Sequence, residues 1–540
     1  MPLTLIDFPS PADSPRRSWQ KCAAALLVAI VAGCGGSNQP GVVEPVEGFF
    51  GGAAADEPRA AIAGRDVLVA GGSAVDAAVA MGFTLAVTLP SSAGLGGGGA
   101  CVTFDGRTVT PTLFDFPATT AGGSRIAVPA LVRGMALLHA RHGRIAWSQL
   151  LGPAETAARF GTPISRALAH DLAQAPTDLV RDPATARIFA PGGTLVREGD
   201  TLVQLDLATI LGQLRQKGAG EFYLGVLPRT IAEASHGALP IEALRGYLPQ
   251  VTAPPVIRIS SQQQFVIVGD SPSTAALFGR LLGLGLEVDP NAADRPRFWA
   301  EAGAAAEGHL AEALSRGRAE IVPPAAEMAA LASRVKAGTH ERPAKALGAI
   351  ATARAGATSF VAADKNGLAV ACALGLNAPW GTGRVLSGTG ILTAPPPAVE
   401  GPRAVGVIAA APGNGVIYLA ASAAGRASPS ALAQVALAAV SERQEIATVL
   451  SRPRIAYDGA EDVARIEPGL PQDPLTRGGL KSVETSPLGF VNAVSCVDEL
   501  VRGRATCRSA ADSRGAGLAF GGGTGAISGT GSGSGGVRPR

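Results

Sequence analysis

Aromatic residues make up 4% of this 540-residue chain, and Asp, Glu, Lys and Arg together 16%. The first shortage leaves little surface for stacking on bases. The second, with a net charge of +3 and no useful run of Lys or Arg, leaves no cationic footprint for a nucleic acid. Histidine is scarce too: six are scattered with no HExxH, and none of the six cysteines has zinc spacing, so no metal site is expected. Glycine (70) and proline (40) are plentiful, and 47% of residues are apolar. That composition describes a folded chain with many turns and close backbone approaches, long enough to bury a large core.

The N-terminus reads as an address. Arg16, Arg17 and Lys21 precede the apolar stretch Cys22 to Gly33, twelve residues that are too short to span a bilayer but suit a signal sequence. Val31-Ala32-Gly33-Cys34 resembles the bacterial lipobox, in which the cysteine is lipidated and becomes the mature N-terminus. Residues 1–33 are therefore expected to be a lipoprotein signal peptide, 34–54 a lipidated Cys34 and flexible tether, and the protein to lie in a bacterial cell envelope, membrane-anchored on the periplasmic side. Export predicts a Cys496–Cys507 disulfide across a short loop. Cys101 and Cys372, each within an apolar strand-like run, read as buried thiols.

Along the chain, helices are expected at Arg59–Val69, Ala74–Val87, Leu205–Gln216, Arg229–His236 and Ala325–Lys336, with a long Ala-rich helix over Ser428–Val449. Val256–Val268 alternates as one strand. Val405–Ala411 and Val416–Ser422 read as two more, and Asp364-Lys365-Asn366-Gly367 as a hairpin turn. Residues 520–540 read as a Gly/Ser-rich flexible tail. Helices dominate early and strands late, which calls for layered α/β packing. Gly94 to Gly99 satisfies GxGxxG, yet a strand rather than a helix follows, so the run reads as a tight backbone turn and not as a dinucleotide site.

One long stretch, "AGGSAVDAAVAMGFTLAVTLPSSAGLGGGG" from Ala70 to Gly99, resembles the signature of the γ-glutamyltransferase (γ-glutamyltranspeptidase) family. The likeness continues collinearly through "VPALVRGMALLHARHGRIAWSQLLGPAETAARFGTPIS", "GDTLVQLDLATIL", "FVAADKNGLAVACALGLNAPWGTGRV" and "RSAADSRGAGLA", from about Ala55 to Ala519. It implies a four-layer αββα N-terminal-nucleophile (Ntn) hydrolase sandwich without a cofactor. It also implies a precursor that cuts itself into a large-subunit region, here 55–357, and a small-subunit region, here 358–519. The reaction implied is acyl transfer or hydrolysis at γ-glutamyl or related amides. A threonine at the new N-terminus attacks with its own amine as base, and a Gly-Gly amide pair holds the oxyanion. The partners implied are an amide substrate and the chain's own two subunits.

Carried over residue by residue, the resemblance nominates Thr358 as nucleophile, Asn377 as the retained asparagine, and the Ala424 and Gly425 amides as oxyanion donors. The match departs at several points. Counting back from Asp364 puts Ala357 at the family's nucleophile, with Thr358 one place further on. A one-residue shift on a strand turns a side chain to the other face, so either a bulge or a one-residue deletion brings Thr358 into place or the nucleophile is gone. The substrate-binding Arg falls at Pro117, the supporting Thr at Gly375, and the amine-binding Asp has no counterpart. Losing the Arg and Asp contacts, each about 1.5–3 kcal/mol, disfavours a zwitterionic γ-glutamyl donor. The rival expectation is an uncleaved, non-catalytic envelope lipoprotein that keeps the fold.

Overall fold

The computed structural model describes residues 42–43, 51–288, 294–318, 320–345, 347, 356–397, 404–411, 413, 415–425, 427–442, 444–496 and 507–522. Cys34, the expected signal peptide and most of the expected tether and tail lie outside these residues. Among the described residues no helix is long and apolar enough to cross a membrane.

Two sheets form the centre. The first contains β1 (Val42–Val43), β2 (Gly51–Ala55), β3 (Gly98–Asp105), β4 (Thr110–Phe116) and β5 (Gln250–Thr252). The second begins with β6 (Val256–Arg258) and β7 (Gln264–Gly269). The chain then returns to the first sheet with β8 (Ala357–Asp364) and β9 (Leu368–Gly375) and to the second with β10 (Ala404–Ala411), β11 (Val416–Ala424), β12 (Phe490–Cys496) and β13 (Cys507–Ala511). Last, β14 (Leu518–Gly522) rejoins the first. The orders are β1-β14-β2-β8-β9-β3-β4-β5 and β13-β12-β11-β10-β7-β6. The strands carry small and β-branched residues buried on both faces, as a sheet covered on both sides requires.

Alternation along each strand sorts the core into three layers. Val361 and Ala363 of β8 meet Val266, Ile408, Ala420 and Val494 of the opposite sheet. Phe360 and Ala362 turn the other way, against the helices α1 (Pro58–Val69), α2 (Ala74–Thr88) and α3 (Leu131–His142). The outer face of the second sheet is covered by α4 (Pro272–Val288), α5 (Arg295–Ser315), α6 (Ala325–Ala337) and α7 (Ser428–Ser441). The result is the expected αββα sandwich.

Much of the family-like sequence builds this scaffold. Ser73 caps α2 and Asp76 completes the capping box, while the Asp76 carboxylate also accepts the Arg144 and Ile145 amides. The glycine run is a place of backbone contact: a Cβ on Gly96 would lie 2.2 Å from the Leu392 oxygen, and one on Gly97 2.3 Å from the Gly375 oxygen.

Several expectations are corrected. Val256–Val268 is not one strand; Ile259 and Ser260 amides bond to the Gln263 carbonyl, and the turn separates β6 from β7. The helix expected over Ser428–Val449 ends at Ser441, and a separate one spans Ile446–Ser451. Gly51–Ala54, expected in the tether, and Phe520–Gly522, expected in the tail, belong to β2 and β14, which pair with each other. Their small residues suit close sheet packing as well as they suit a linker.

Cys101 and Cys372 are not thiols. They face each other across β3 and β9 and form a disulfide, and the expected Cys496–Cys507 bridge joins β12 and β13. Sequence could not reveal the first pair because its partners lie 271 positions apart. All four cysteines are expected to resist alkylation until the protein is reduced, which mass spectrometry checks. In the loop-entropy limit, removing the long-range bridge costs about 5 kcal/mol and the local one about 3. The Cys101→Ala/Cys372→Ala variant should therefore show the larger fall in denaturation midpoint.

Glu307 of α5 is buried, and its Oε2 has no hydrogen-bond partner. Burial, aided by repulsion from Asp458, pushes its carboxyl from an ordinary 4.5 up to about 8. Between those values the folded chain holds a proton that the unfolded chain has released. Stability due to this group therefore falls as pH rises from about 4.5 to about 8 and is level beyond. Glu307→Gln is expected to flatten that decline, measured as Tm from pH 5 to 9.

Candidate active site

The start of β8 is set by Gly356. Its φ of +72° turns the incoming chain, and a Cβ there would lie 2.0 Å from the Ala378 carbonyl carbon. Its carbonyl accepts the Leu376 amide at 2.9 Å, and Ala357 then enters the ladder opposite Gly375. The tight turn thus stands immediately before Ala357.

Ala357 points between the sheets. It is wholly buried and clusters with Ala373 of β9, Ala404 of β10 and Ala424 of β11. A Cβ placed on Gly375 would lie 3.7 Å from the Ala357 Cβ, so these two positions share that face. Ala424 ends β11; Gly425 follows with φ +94° and its carbonyl accepts the Ser428 amide at the start of α7. Ala357 is therefore beside the Ala424 end of the nominated oxyanion pair.

Thr358 is one residue on and, by the strand's alternation, belongs with Phe360 and Ala362 on the face toward the helices. It stands in regular register opposite Leu374, so no bulge at this point re-aims it. Its hydroxyl donates to Asp56 Oδ2 at 2.9 Å. The same oxygen accepts the Ser359 amide at 3.1 Å, and Asp56 Oδ1 accepts from Asn492 Nδ2 at 2.7 Å. Asn492 is on β12, and it also donates to the Ser359 carbonyl. Asp56 thus ties β8 to the opposite sheet. The bulge that would have turned Thr358 onto the inter-sheet face is absent: the ladder stays regular and Ala357 stands on that face.

Neither Asp56 nor Asn492 stood out in the sequence. The only local signal was an acidic pair, Asp56-Glu57, before the Pro58 that opens α1. Glu57 is the α1 N-cap, accepting the Arg59 and Ala60 amides and the Thr88 hydroxyl, and burial raises its carboxyl pKa.

A family model described as Gamma-glutamyltranspeptidase matches residues 60–394. The chain belongs to that family. The glutathione hydrolase proenzyme of Bacillus subtilis (strain 168) is 32% identical over 251 residues, 40% of this chain and 43% of its own length. The capsule biosynthesis protein CapD proenzyme of Bacillus anthracis is 33% identical over 208 residues, 38% of each chain. The matched part spans about two-fifths of the length of these curated relatives. Among solved structures, cephalosporin acylase from Bacillus halodurans superposes on 90% of this chain and 98% of its own with a TM-score of 0.70 at 19% identity, which shows a shared Ntn-hydrolase fold.

Of two further family positions, Asn377 keeps the asparagine and Pro117 departs from the pattern. Asn377, with φ +62°, directs its Nδ2 to the Ala118 and Pro395 carbonyls at 2.8 and 2.9 Å, so it clamps two loops together beyond the end of β9. Pro117, where the family pattern has its carboxylate-binding Arg, offers only a carbonyl, which accepts the Tyr247 hydroxyl at 3.0 Å. Asp115, Pro117 and Tyr247 line an open pocket of about 410 Å³ in which no described lining residue is a cation. Burial raises the Asp115 carboxyl pKa.

Proposed function

We propose that this protein is a member of the γ-glutamyltranspeptidase family that stays uncut and carries no Ntn nucleophile, an envelope lipoprotein that keeps the sandwich as a binding scaffold. The observation that carries this reading is the pairing of Ala357 with Gly375 on the inter-sheet face, beside Ala424. In the family pattern both positions bear hydroxyls, one attacking and one supporting. Methyl and hydrogen can do neither. The pocket at Pro117 lacks the guanidinium that a substrate α-carboxylate needs, which agrees with the loss of the reaction. Intact mass of the full chain after expression tests it: one polypeptide supports the reading and two chains oppose it. Anchoring rests on Cys34; Cys34→Ala should move the protein from the membrane fraction to the soluble one, and a wild type already soluble argues against an anchor.

A second reading keeps acyl transfer or hydrolysis at γ-glutamyl or related amides, glutathione among them, with Thr358 as nucleophile. The Thr358–Asp56 contact favours it, since a carboxylate at 2.9 Å is a competent proton acceptor for a hydroxyl. It requires β8 to slip by one residue, which would also turn Phe360 from the helical core into the space between the sheets. Its signature is a small chain beginning at Thr358 and loss of turnover in Thr358→Ala.

A further inference from the structure

On the outer face of the second sheet, away from Ala357, lies a cavity of about 310 Å³ between α4, α5 and α7. Its walls are apolar: Phe298 and Trp299 pack edge to face at 5.0 Å, and Leu437 and Val449 line it as well. Such a mixture of size and lining is that of a small-molecule site.

Two features give it a polar bias. Arg454 lines the cavity and is 2% exposed. Its terminal nitrogens are engaged, Nη1 with Asp512 at 2.5 Å and with the Leu488 and Gly489 carbonyls, Nη2 with the Leu450 carbonyl. Its Nε–H has no acceptor. A buried donor left unpaired costs about 1–3 kcal/mol, which an acceptor on a ligand would recover. In addition, Arg295 and Arg452 line the same cavity around a single carboxylate, Glu442, at 2.7 and 2.9 Å. The lining therefore carries three guanidiniums, of which Arg295 and Arg452 share the one carboxylate Glu442 while Arg454 is paired with Asp512.

We infer that this cavity binds a small organic carboxylate with an aromatic or aliphatic body. The body lies against Trp299, Phe298 and Leu437, and the carboxylate faces the arginines, taking the Arg454 Nε–H. No covalent step is involved, and the site is independent of the Ala357 region.

The test is a titration of the full-length protein with 1-naphthoate, read by tryptophan fluorescence and by calorimetry, with 1-naphthalenemethanol as the neutral isostere. Saturable 1:1 binding of naphthoate, at least tenfold tighter than the alcohol, is expected. Arg454→Gln should lose that preference, but it disturbs a buried ion network. Ser441→Trp, at an exposed lining position, therefore serves as the second variant and should weaken naphthoate at least tenfold while leaving Tm unchanged. Absence of saturable binding, equal affinity for acid and alcohol, or binding unaffected by Ser441→Trp overturns the assignment.

Discussion

Ala357→Thr is expected to convert the single chain into two that remain associated, the smaller beginning at residue 357. The added hydroxyl would stand on the inter-sheet face, directly after the turn at Gly356. From there it can attack the Gly356 carbonyl to give an ester that water opens. A correctly held intramolecular nucleophile is worth an effective molarity on the order of 10⁵–10⁸ M, so its presence or absence decides whether cutting occurs at all. The extra atoms press on Ala404 and Ala424, an overpacking cost of about 1–3 kcal/mol. Gly375→Thr in the same chain should accelerate the cut by supplying the supporting hydroxyl. Thr358→Ala added to Ala357→Thr should leave cutting in place. N-terminal sequencing of the fragments reads the outcome, and cutting that needs Thr358 would contradict it.

Asp512→Ala is expected to give a large loss of stability. Asp512 and Arg454 are both almost wholly buried and meet at 2.5 Å; Asp512 also accepts the Val491 amide, and Arg514 pairs with Asp512 at 3.0 Å and with Glu467 at 2.5 Å. Two cations and two anions balance. Removing one anion leaves Arg454 charged without its counter-ion, although burial already lowers its pKa. Breaking such a pair from one side costs about 3–5 kcal/mol, whereas replacing both partners by apolar residues of similar volume is near neutral. Urea unfolding should show a large fall for Asp512→Ala and substantial recovery for Arg454→Met/Asp512→Leu. Equal losses in the two variants would mean that packing, not charge, dominates.

The layered fold was legible because its signals are local. The turn after Asp364 and the glycine run at Gly94–Gly99 each announce their geometry over a few residues. The Cys101–Cys372 bridge was not legible, because it depends on the register of strands far apart in sequence. Nor was the Asp56–Thr358–Asn492 junction, in which residues separated by more than 300 positions share one carboxylate. The candidate site falls between these cases. Sequence placed the family's nucleophile position at Ala357 or Thr358, but one residue is enough to reverse the face a side chain takes on a strand. Only the pairing of Ala357 with Gly375, and its contact with Ala424, decides which side chain looks into the space between the sheets. The same geometry explains why family-like motifs persist here. Asp76, Gln204, Asp364 and Asp512 bond to backbone amides or carbonyls that hold the sandwich together, and that duty does not depend on a nucleophile.

The most direct test of the central claim is the intact mass of the wild-type full chain, measured under denaturing conditions after prolonged incubation. A single polypeptide spanning both sides of Ala357 is predicted. A pair of chains, the smaller beginning with Thr358, would contradict it and return the protein to the catalytic members of its family.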